Sequence, residues 1–211
     1  SLEGAYSRAS YIHPLWDLEG GVLTEDFPKD HLHHRGIFWA WHQVYVGEQR
    51  VGDAWECRDF RWNVKSVDLV TSNENWMILV AETDWTSPLI TNRRGKEEPF
   101  VTELVTMKIY RGQKYYRLLD ITIQLFPLVE DVKIGGSEDE KGYGGFSVRL
   151  KTPDGLVFNA ENGPVDPRTL QVDAGPWVDV YGPIGRFGHN AGMVIIGHKD
   201  NPDHPQPWLL R

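Results

Sequence analysis

Hydrophobic and polar residues alternate with a period of two over long stretches of the chain, which is the pattern of half-buried β-strands. The clearest stretch is Val101–Arg111, and Lys114–Phe126 repeats it after a glycine-containing turn, so we predict a β-hairpin here. A second hairpin is predicted for Phe60–Val70 and Trp76–Trp85, which flank the polar segment Thr71–Asn75.

The rest of the chain also predicts strands rather than helices. No window of about 11 residues shows the 3.6-residue apolar period of an amphipathic helix. Many short strands between turn signals are typical of a sandwich or barrel. We therefore predict an all-β fold, an antiparallel β-sandwich, formed as one domain over residues 1–211. Further strands are predicted at Gly144–Lys151, Leu156–Ala160, Trp177–Tyr181 and Met193–His198.

Two long polar connections and the end of the chain depart from this pattern. Ser87–Pro99 and Val129–Lys141 are each predicted to frame a site or to be mobile, because long structureless connections rarely pack in a core. The apolar run Trp208–Leu210 near the end is not followed by a closing turn, so truncation at the C-terminus stays open.

Charge and composition argue against several classes of partner. The formal net charge is −8 and no basic run is longer than Arg93–Arg94, which argues against nucleic acid. No stretch approaches the ~18 consecutive apolar residues of a membrane-spanning helix. The single Cys57 cannot form an internal disulfide. Because the chain begins at Ser1, removal of a signal peptide stays open, and a soluble periplasmic or secreted protein is slightly favoured over a cytoplasmic one.

Aromatic residues are frequent, with nine Trp in 211 residues. Core packing in strands explains any single Trp more readily than function does. Flat aromatic rings also stack on the apolar face of a sugar ring, so the composition leaves carbohydrate binding open as well.

Three of the eight histidines fall within four residues, in the segment Asp30–Gly36. We call His31, His33 and His34 the histidine cluster. The segment leads into the aromatic run Ile37–Tyr45, which we predict to be one central strand because aromatic residues lie on both faces. The histidine cluster and Arg35 are thereby expected at the rim of a sheet.

Four roles are open for these residues. His31 and His33 form an H-x-H pair that could ligate a divalent metal ion. Cupin metal sites have a glutamate a few residues after this pair, and the sequence has Arg35 and Gly36 there, so the cupin motif is not met. One imidazole tuned near neutral pH could serve as a general acid or base. The Arg35 guanidinium could bind a carboxylate or a developing negative charge. The cluster could also simply cap the sheet.

The glycine-rich segment Lys141–Arg149 is the second candidate for function. It lacks the helix and the Lys-Ser/Thr pair that follow a phosphate-binding loop, so nucleotide binding is rejected. We predict a strand with Tyr143 and Arg149 facing a ligand, and a glycine-rich bend is the alternative. The sequence has no Gly-x-Ser-x-Gly motif and nothing marks Cys57 as a reactive thiolate.

Several of these segments together resemble the "methane oxygenase PmoA"-like family of bacterial proteins. The segments are Tyr11–Leu15, Leu23–His31, His33–Gly36 and Lys141–Gly145. The family is similar in architecture to galactose-mutarotase-like β-supersandwiches, in which histidines act on sugars. The resemblance therefore implies a supersandwich and sugar chemistry. The membrane subunit that the family name invokes needs spanning segments, which the sequence does not show.

The residues and the resemblance together favour a carbohydrate-active enzyme, either a lyase, a hydrolase or an epimerase, that acts on a small sugar or an oligosaccharide. A non-catalytic carbohydrate-binding sandwich is the first alternative, and a metal-dependent oxygenase is the second. No cofactor is predicted, although a divalent metal stays open. The predicted catalytic residues are His33, His34 and His42. The predicted substrate-binding residues are Arg35, Trp39, Trp41, Tyr143 and Arg149.

Overall fold

The computed structural model describes residues 6–210 and is built almost entirely from β-strands. Strands make up 46% of the chain and form several antiparallel sheets that pack together. Within residues 6–210 the single helical element is a 3₁₀ turn, Arg186–Gly188, and no helix there could cross a membrane. The predicted all-β sandwich is confirmed. The supersandwich implied by the resemblance stays a prediction.

Fourteen strands follow one another along the described chain. In order they are β1 (Tyr11–Ile12), β2 (Ile37–Ala40), β3 (Gln43–Val46), β4 (Gln49–Gly52), β5 (Arg61–Ser72), β6 (Trp76–Thr86), β7 (Val101–Tyr110), β8 (Leu119–Pro127), β9 (Val132–Gly135), β10 (Gly145–Val148), β11 (Val157–Ala160), β12 (Gly163–Pro164), β13 (Trp177–Gly182) and β14 (Ala191–Ile196).

The longest strands form one four-stranded sheet in the order β5-β6-β7-β8. Both predicted hairpins are confirmed, because β5 pairs with β6 and β7 pairs with β8. The register places Leu79 opposite Met107 and Met107 opposite Ile121, so apolar residues line one face of the sheet. The alternation in the sequence specified this register, since a slip of one residue would turn the apolar set to the other face.

The prediction of one continuous strand over Ile37–Tyr45 is wrong in one respect, because the observed strand is interrupted at Trp41 and His42. Its first half, β2, is the central strand of the sheet β1-β2-β10. Its second half, β3, is the central strand of a different sheet, β4-β3-β9. The central position is therefore confirmed, and the interruption places His42 at a junction between two sheets.

The last part of the chain forms the sheet β12-β11-β13-β14. Its strands confirm the predictions at Leu156–Ala160, Trp177–Tyr181 and Met193–His198 within a few residues at each end. The connection Val129–Lys141, which was predicted to frame a site or to be mobile, contains β9, and this strand pairs with β3. The connection Ser87–Pro99 holds only an isolated bridge between Thr91 and Glu97.

Two apolar cores stabilise these sheets. The first packs Phe38 of β2 against Trp55, Trp85 and Phe100, and the second lies under β11, β13 and β14 around Val178. Burying side chains of this size contributes most of the folding free energy in proteins of this class. The histidine cluster lies beside the first core, where His34 contacts the Phe38 ring at 5.3 Å between ring centroids.

Candidate functional site

A tight turn holds the histidine cluster at the start of β2. The backbone N–H of His31 donates to the carbonyl of Pro28, and that of His34 donates to the carbonyl of His31. Gly36 closes the turn with a φ of +53°, and a Cβ there would lie 2.3 Å from the carbonyl oxygen of Ile12. Only glycine fits this close approach to β1, which explains on steric grounds why a glycine follows Arg35.

The imidazoles pack on one another and on a buried indole. His34 stacks on His31 with centroids 4.7 Å apart and meets His33 edge-on at 4.6 Å. The indole of Trp55 lies 5.5 Å from the His34 ring and 6.3 Å from the His33 ring. His42 stacks on the same indole at 5.4 Å. Trp55 therefore links the histidine cluster to His42.

His42 is held by a buried carboxylate. Its Nδ1 lies 3.1 Å from Oδ2 of Asp53, and its ring is 13% exposed. Asp53 is fixed in turn, because its Oδ1 accepts the backbone N–H of Glu56 at 2.9 Å. Arg50 donates to the carbonyl oxygen of His42 at 2.8 Å and approaches Asp53 at 3.4 Å. The Nε2 atom of His42 is buried and has no hydrogen-bond partner among the described residues.

Burial keeps part of the histidine cluster uncharged. Desolvation, followed by repulsion from His33 and His31, lowers the pKa of His34 to about 3. Desolvation also lowers the pKa of His33, although Glu56, at 3.7 Å from its Nδ1, acts in the opposite direction. At neutral pH the His34 ring is therefore a neutral hydrogen-bonding group, and its Nε2 has no partner among the described residues.

Arg35 is buried and engaged within the protein. Its guanidinium lies between the rings of Tyr11 and Phe27, at 4.2 and 4.0 Å from their centroids. It pairs with Asp26 and donates to the hydroxyl of Tyr11 at 2.5 Å, and its side chain is only 6% exposed. The predicted substrate-binding role has no geometric support, and the contacts give Arg35 a structural role in tying β1 to the cluster.

Arg149 is also engaged within the protein. Its Nε donates to Glu25 at 3.0 Å, and its terminal nitrogen donates to both oxygens of Asp30 at 2.8 and 2.9 Å. His31 contacts Asp30 at 2.8 Å, and these hydrogen bonds lower the pKa of the Asp30 carboxyl to about 2. Arg149 thus fixes the position of the histidine cluster, whereas the sequence predicted contact with substrate.

The three predicted aromatic ligand contacts occupy different environments. Trp39 is only 3% exposed and points into the protein, which leaves no face for stacking on a sugar. Trp41 is half-buried and packs on Trp85 at 5.8 Å. Tyr143 is half-buried beside His42, at 5.2 Å, and Trp55, at 5.3 Å. Of the three, Tyr143 is the one that the structure brings to the site.

The histidines do not converge on a metal centre. Among residues 6–210 no group of three or more His, Cys, Asp or Glu side chains is arranged to hold a metal ion. The rings of His31 and His33 meet edge-on with centroids 5.8 Å apart, and Nδ1 of His31 is engaged by Asp30. The donor arrangement therefore does not fit the H-x-H metal site considered from the sequence.

Two important residues, Asp53 and Trp55, were missed by the sequence reasoning. The pairing of His42 with Asp53 depends on the turn of the β3–β4 hairpin, which returns the chain to His42 after 11 residues. The sequence signal was present but weak: Asp53 follows Gly52 at the end of β4, and Asp after Gly is typical of a turn.

The fold and the site define an all-β sandwich with a histidine- and aromatic-lined site at the junction of two sheets. The chain belongs to the family of unknown function DUF6807, which it matches over residues 1–211. No curated protein and no solved structure shows a significant match to the chain.

Proposed function

We propose that this protein is a carbohydrate-active enzyme in which His42, oriented by Asp53, transfers a proton to or from a sugar substrate. The observation that carries the proposal is the contact of 3.1 Å between His42 Nδ1 and Asp53 Oδ2, combined with the unpartnered Nε2 on the other side of the ring. This is the arrangement in which a carboxylate fixes the tautomer of a histidine general base.

The state of Asp53 supports this assignment. Burial opposes ionisation of Asp53, but hydrogen bonds from His42 and from the backbone N–H of Glu56 outweigh it and lower the pKa of the carboxyl. A charged Asp53 accepts a hydrogen bond from Nδ1–H of His42, so the lone pair lies on Nε2, which can accept a proton. Since Nε2 is buried, a neighbouring side chain has to move to admit a substrate, and we assign this movement to the half-buried Tyr143, whose ring meets that of His42 edge-on at 5.2 Å.

The surroundings of His42 suit a sugar better than an ion. The half-buried Tyr143 provides aromatic surface that matches the apolar C–H face of a pyranose. The neutral His34 offers a second unpartnered nitrogen that can bond a hydroxyl group. A lyase, a hydrolase and an epimerase each require a proton transfer that an oriented imidazole can perform, so the proposal covers these three reaction types.

A substrate screen with matched histidine variants tests the proposal. The purified protein is incubated with a library of neutral and acidic oligosaccharides, and products are detected by mass spectrometry. We expect turnover of at least one member, and an at least ~100-fold lower rate for His42→Gln, because general acid–base groups contribute about that much. His198→Gln, which alters an exposed histidine beside Asp200, is the control and should keep its rate within about twofold of the unmodified protein.

Two results would contradict the proposal. One is a folded His42→Gln variant, verified by near-ultraviolet circular dichroism, that keeps the full rate. The other is the absence of any product from the whole library with the unmodified protein. Binding of an oligosaccharide without turnover would instead support the non-catalytic sandwich.

A further inference from the structure

A cleft of about 490 Å³ lies between the loop that follows β10 and the loop that follows β13. Lys151 and Pro153 line it on the first loop, and Pro183 and Phe187 line it on the second. Glu25 also lines the cleft. Its volume is within the range of small-ligand sites, and none of the predicted site residues lines it.

Phe187 forms an exposed aromatic platform at this cleft. Its side chain is 85% exposed, which is unusual for a phenylalanine, and its backbone is left-handed with φ 54° and ψ 26°. Bulky residues rarely adopt this conformation, and such outliers concentrate at ligand sites. The Arg186 guanidinium lies 4.8 Å from the ring centroid, so the platform carries a positive charge beside it.

Asp17 locks the loop that carries Phe187. Its Oδ2 accepts the backbone N–H of Arg186 at 2.9 Å, and its Oδ1 accepts that of Gly21 at 2.6 Å. A Cβ on Gly21 would lie 2.3 Å from the Arg186 nitrogen, so the two loops are in tight contact. The platform is therefore held in place before any ligand binds, which lowers the entropic cost of binding.

Lys151 is the cationic side chain among the residues that line the cleft. The carboxylate of Glu25, which also lines it, is engaged by Arg149, with 3.0 Å between Oε2 and Nε. In the described part of the chain, by contrast, no carboxylate pairs with the side chain of Lys151 or of Arg186. An ammonium without a carboxylate partner beside an exposed aromatic ring matches a ligand that has both an anionic group and an apolar ring face.

We propose that this cleft binds an acidic sugar unit, with the ring stacked on Phe187 and the carboxylate held by Lys151. This inference rests on the proposed function, since it takes the ligand to be part of the sugar substrate. A chain of side-chain contacts also joins the cleft to the histidine cluster. Glu25 contacts Arg149, Arg149 holds Asp30, and Asp30 contacts His31 of the histidine cluster. The cleft is thus a subsite for an acidic unit of an oligosaccharide, connected through these contacts to the histidine cluster.

Binding measurements on two variants test this subsite. The probes are trimers of galacturonate, glucuronate, mannuronate and guluronate, each paired with its carboxyl-reduced neutral form, titrated by calorimetry. We expect at least one acidic trimer to bind at least tenfold more tightly than its neutral form. Phe187→Ala should weaken binding of that trimer at least tenfold, and Lys151→Met should remove the preference for the acidic form. Tyr115→Ala and Lys114→Met, at the exposed β7–β8 turn, are the matched controls and should leave binding unchanged.

The outcomes separate this inference from the proposed function. Failure of every acidic trimer to bind, or equal binding of acidic and neutral forms, overturns the subsite even where His42-dependent turnover of a neutral sugar is found. Undiminished binding in folded Phe187→Ala also overturns it. Acidic binding that Phe187→Ala weakens, with a preference for the acidic form that Lys151→Met removes, supports the subsite even where His42→Gln keeps full activity, and in that case the proposed function alone fails.

Discussion

Replacing His34 by Phe should flatten the dependence of stability on pH between 7 and 5. Burial lowers the pKa of His34 from 6.5 to about 3, so in this pH range the unfolded chain binds a proton that the folded chain does not. Stability therefore falls as the pH falls below 6.5, and the loss continues until the folded pKa is reached. Phenylalanine keeps a flat ring for stacking on His31 and removes the titrating group.

The size of the effect follows from the two pKa values of His34. Each pH unit between them is equivalent to about 1.36 kcal/mol, so acidification from pH 7 to pH 5 costs the folded state about 2 kcal/mol through His34 alone. Other groups add to the total dependence. Asp30 loses its contribution to stability only below its unfolded pKa of 3.8, which is outside this pH window. Burial raises the pKa of Glu103, so this group makes the folded state more stable as the pH falls, opposite to His34. Both groups are present in the two proteins and cancel in the comparison.

Urea unfolding at pH 7, 6 and 5 measures the effect. The unmodified protein should lose about 2 kcal/mol more than His34→Phe over this range, and the exposed-site variant His198→Gln should behave like the unmodified protein. Equal pH dependence in the unmodified protein and the folded His34→Phe variant would refute the reasoning. If the variant does not fold, the ring resonances of His34 in the unmodified protein decide the question, because the account predicts no titration of this ring above pH 5.

Three further predictions concern residues around the site. Arg35→Met should lower the free energy of unfolding by about 3 kcal/mol in urea, since it leaves Asp26 without its cationic partner; a loss below 1 kcal/mol would contradict the structural role. Gly36→Ala should cost at least about 3 kcal/mol, whereas Gly47→Ala, also at positive φ but with open space around it, should cost about 1 kcal/mol; equal costs would exclude the steric argument. Because burial raises the pKa of Cys57, its thiol should react with a disulfide reagent at least ~10 times more slowly in the folded protein than in urea, and equal rates would contradict that burial.

The sheet structure could be predicted from the sequence wherever strands alternate strictly. The β7–β8 hairpin is of this kind, because apolar and polar residues alternate along both strands and a turn separates them. The β5–β6 hairpin alternates less regularly, and its polar turn segment Thr71–Asn75 indicated its position. The interruption at Trp41 and His42 could not be predicted, since an unbroken aromatic run reads equally well as one strand. The strand β9 was hidden because it is four residues long and lies in an acidic segment.

The candidate site could be located from the sequence, but its internal roles could not be assigned. Three histidines in four residues marked the region, and the turn that orients them ends at Gly36 as the close approach to β1 requires. Whether Arg35 faces solvent or the interior depends on Tyr11 and Phe27, which are distant in sequence from each other. The partner of His42 likewise comes from the turn after β4, so spacing alone could not identify Asp53.

The most direct test of the central claim is the kcat of Asp53→Asn on the substrate that the oligosaccharide screen identifies. Asn keeps the shape of Asp53 but removes the negative charge that fixes the His42 tautomer. The account predicts a kcat at least ~100-fold lower, with KM within about threefold of its original value, because Asp53 acts through His42 and does not bind the substrate. A folded Asp53→Asn variant whose kcat stays within about threefold of the unmodified protein would contradict the account.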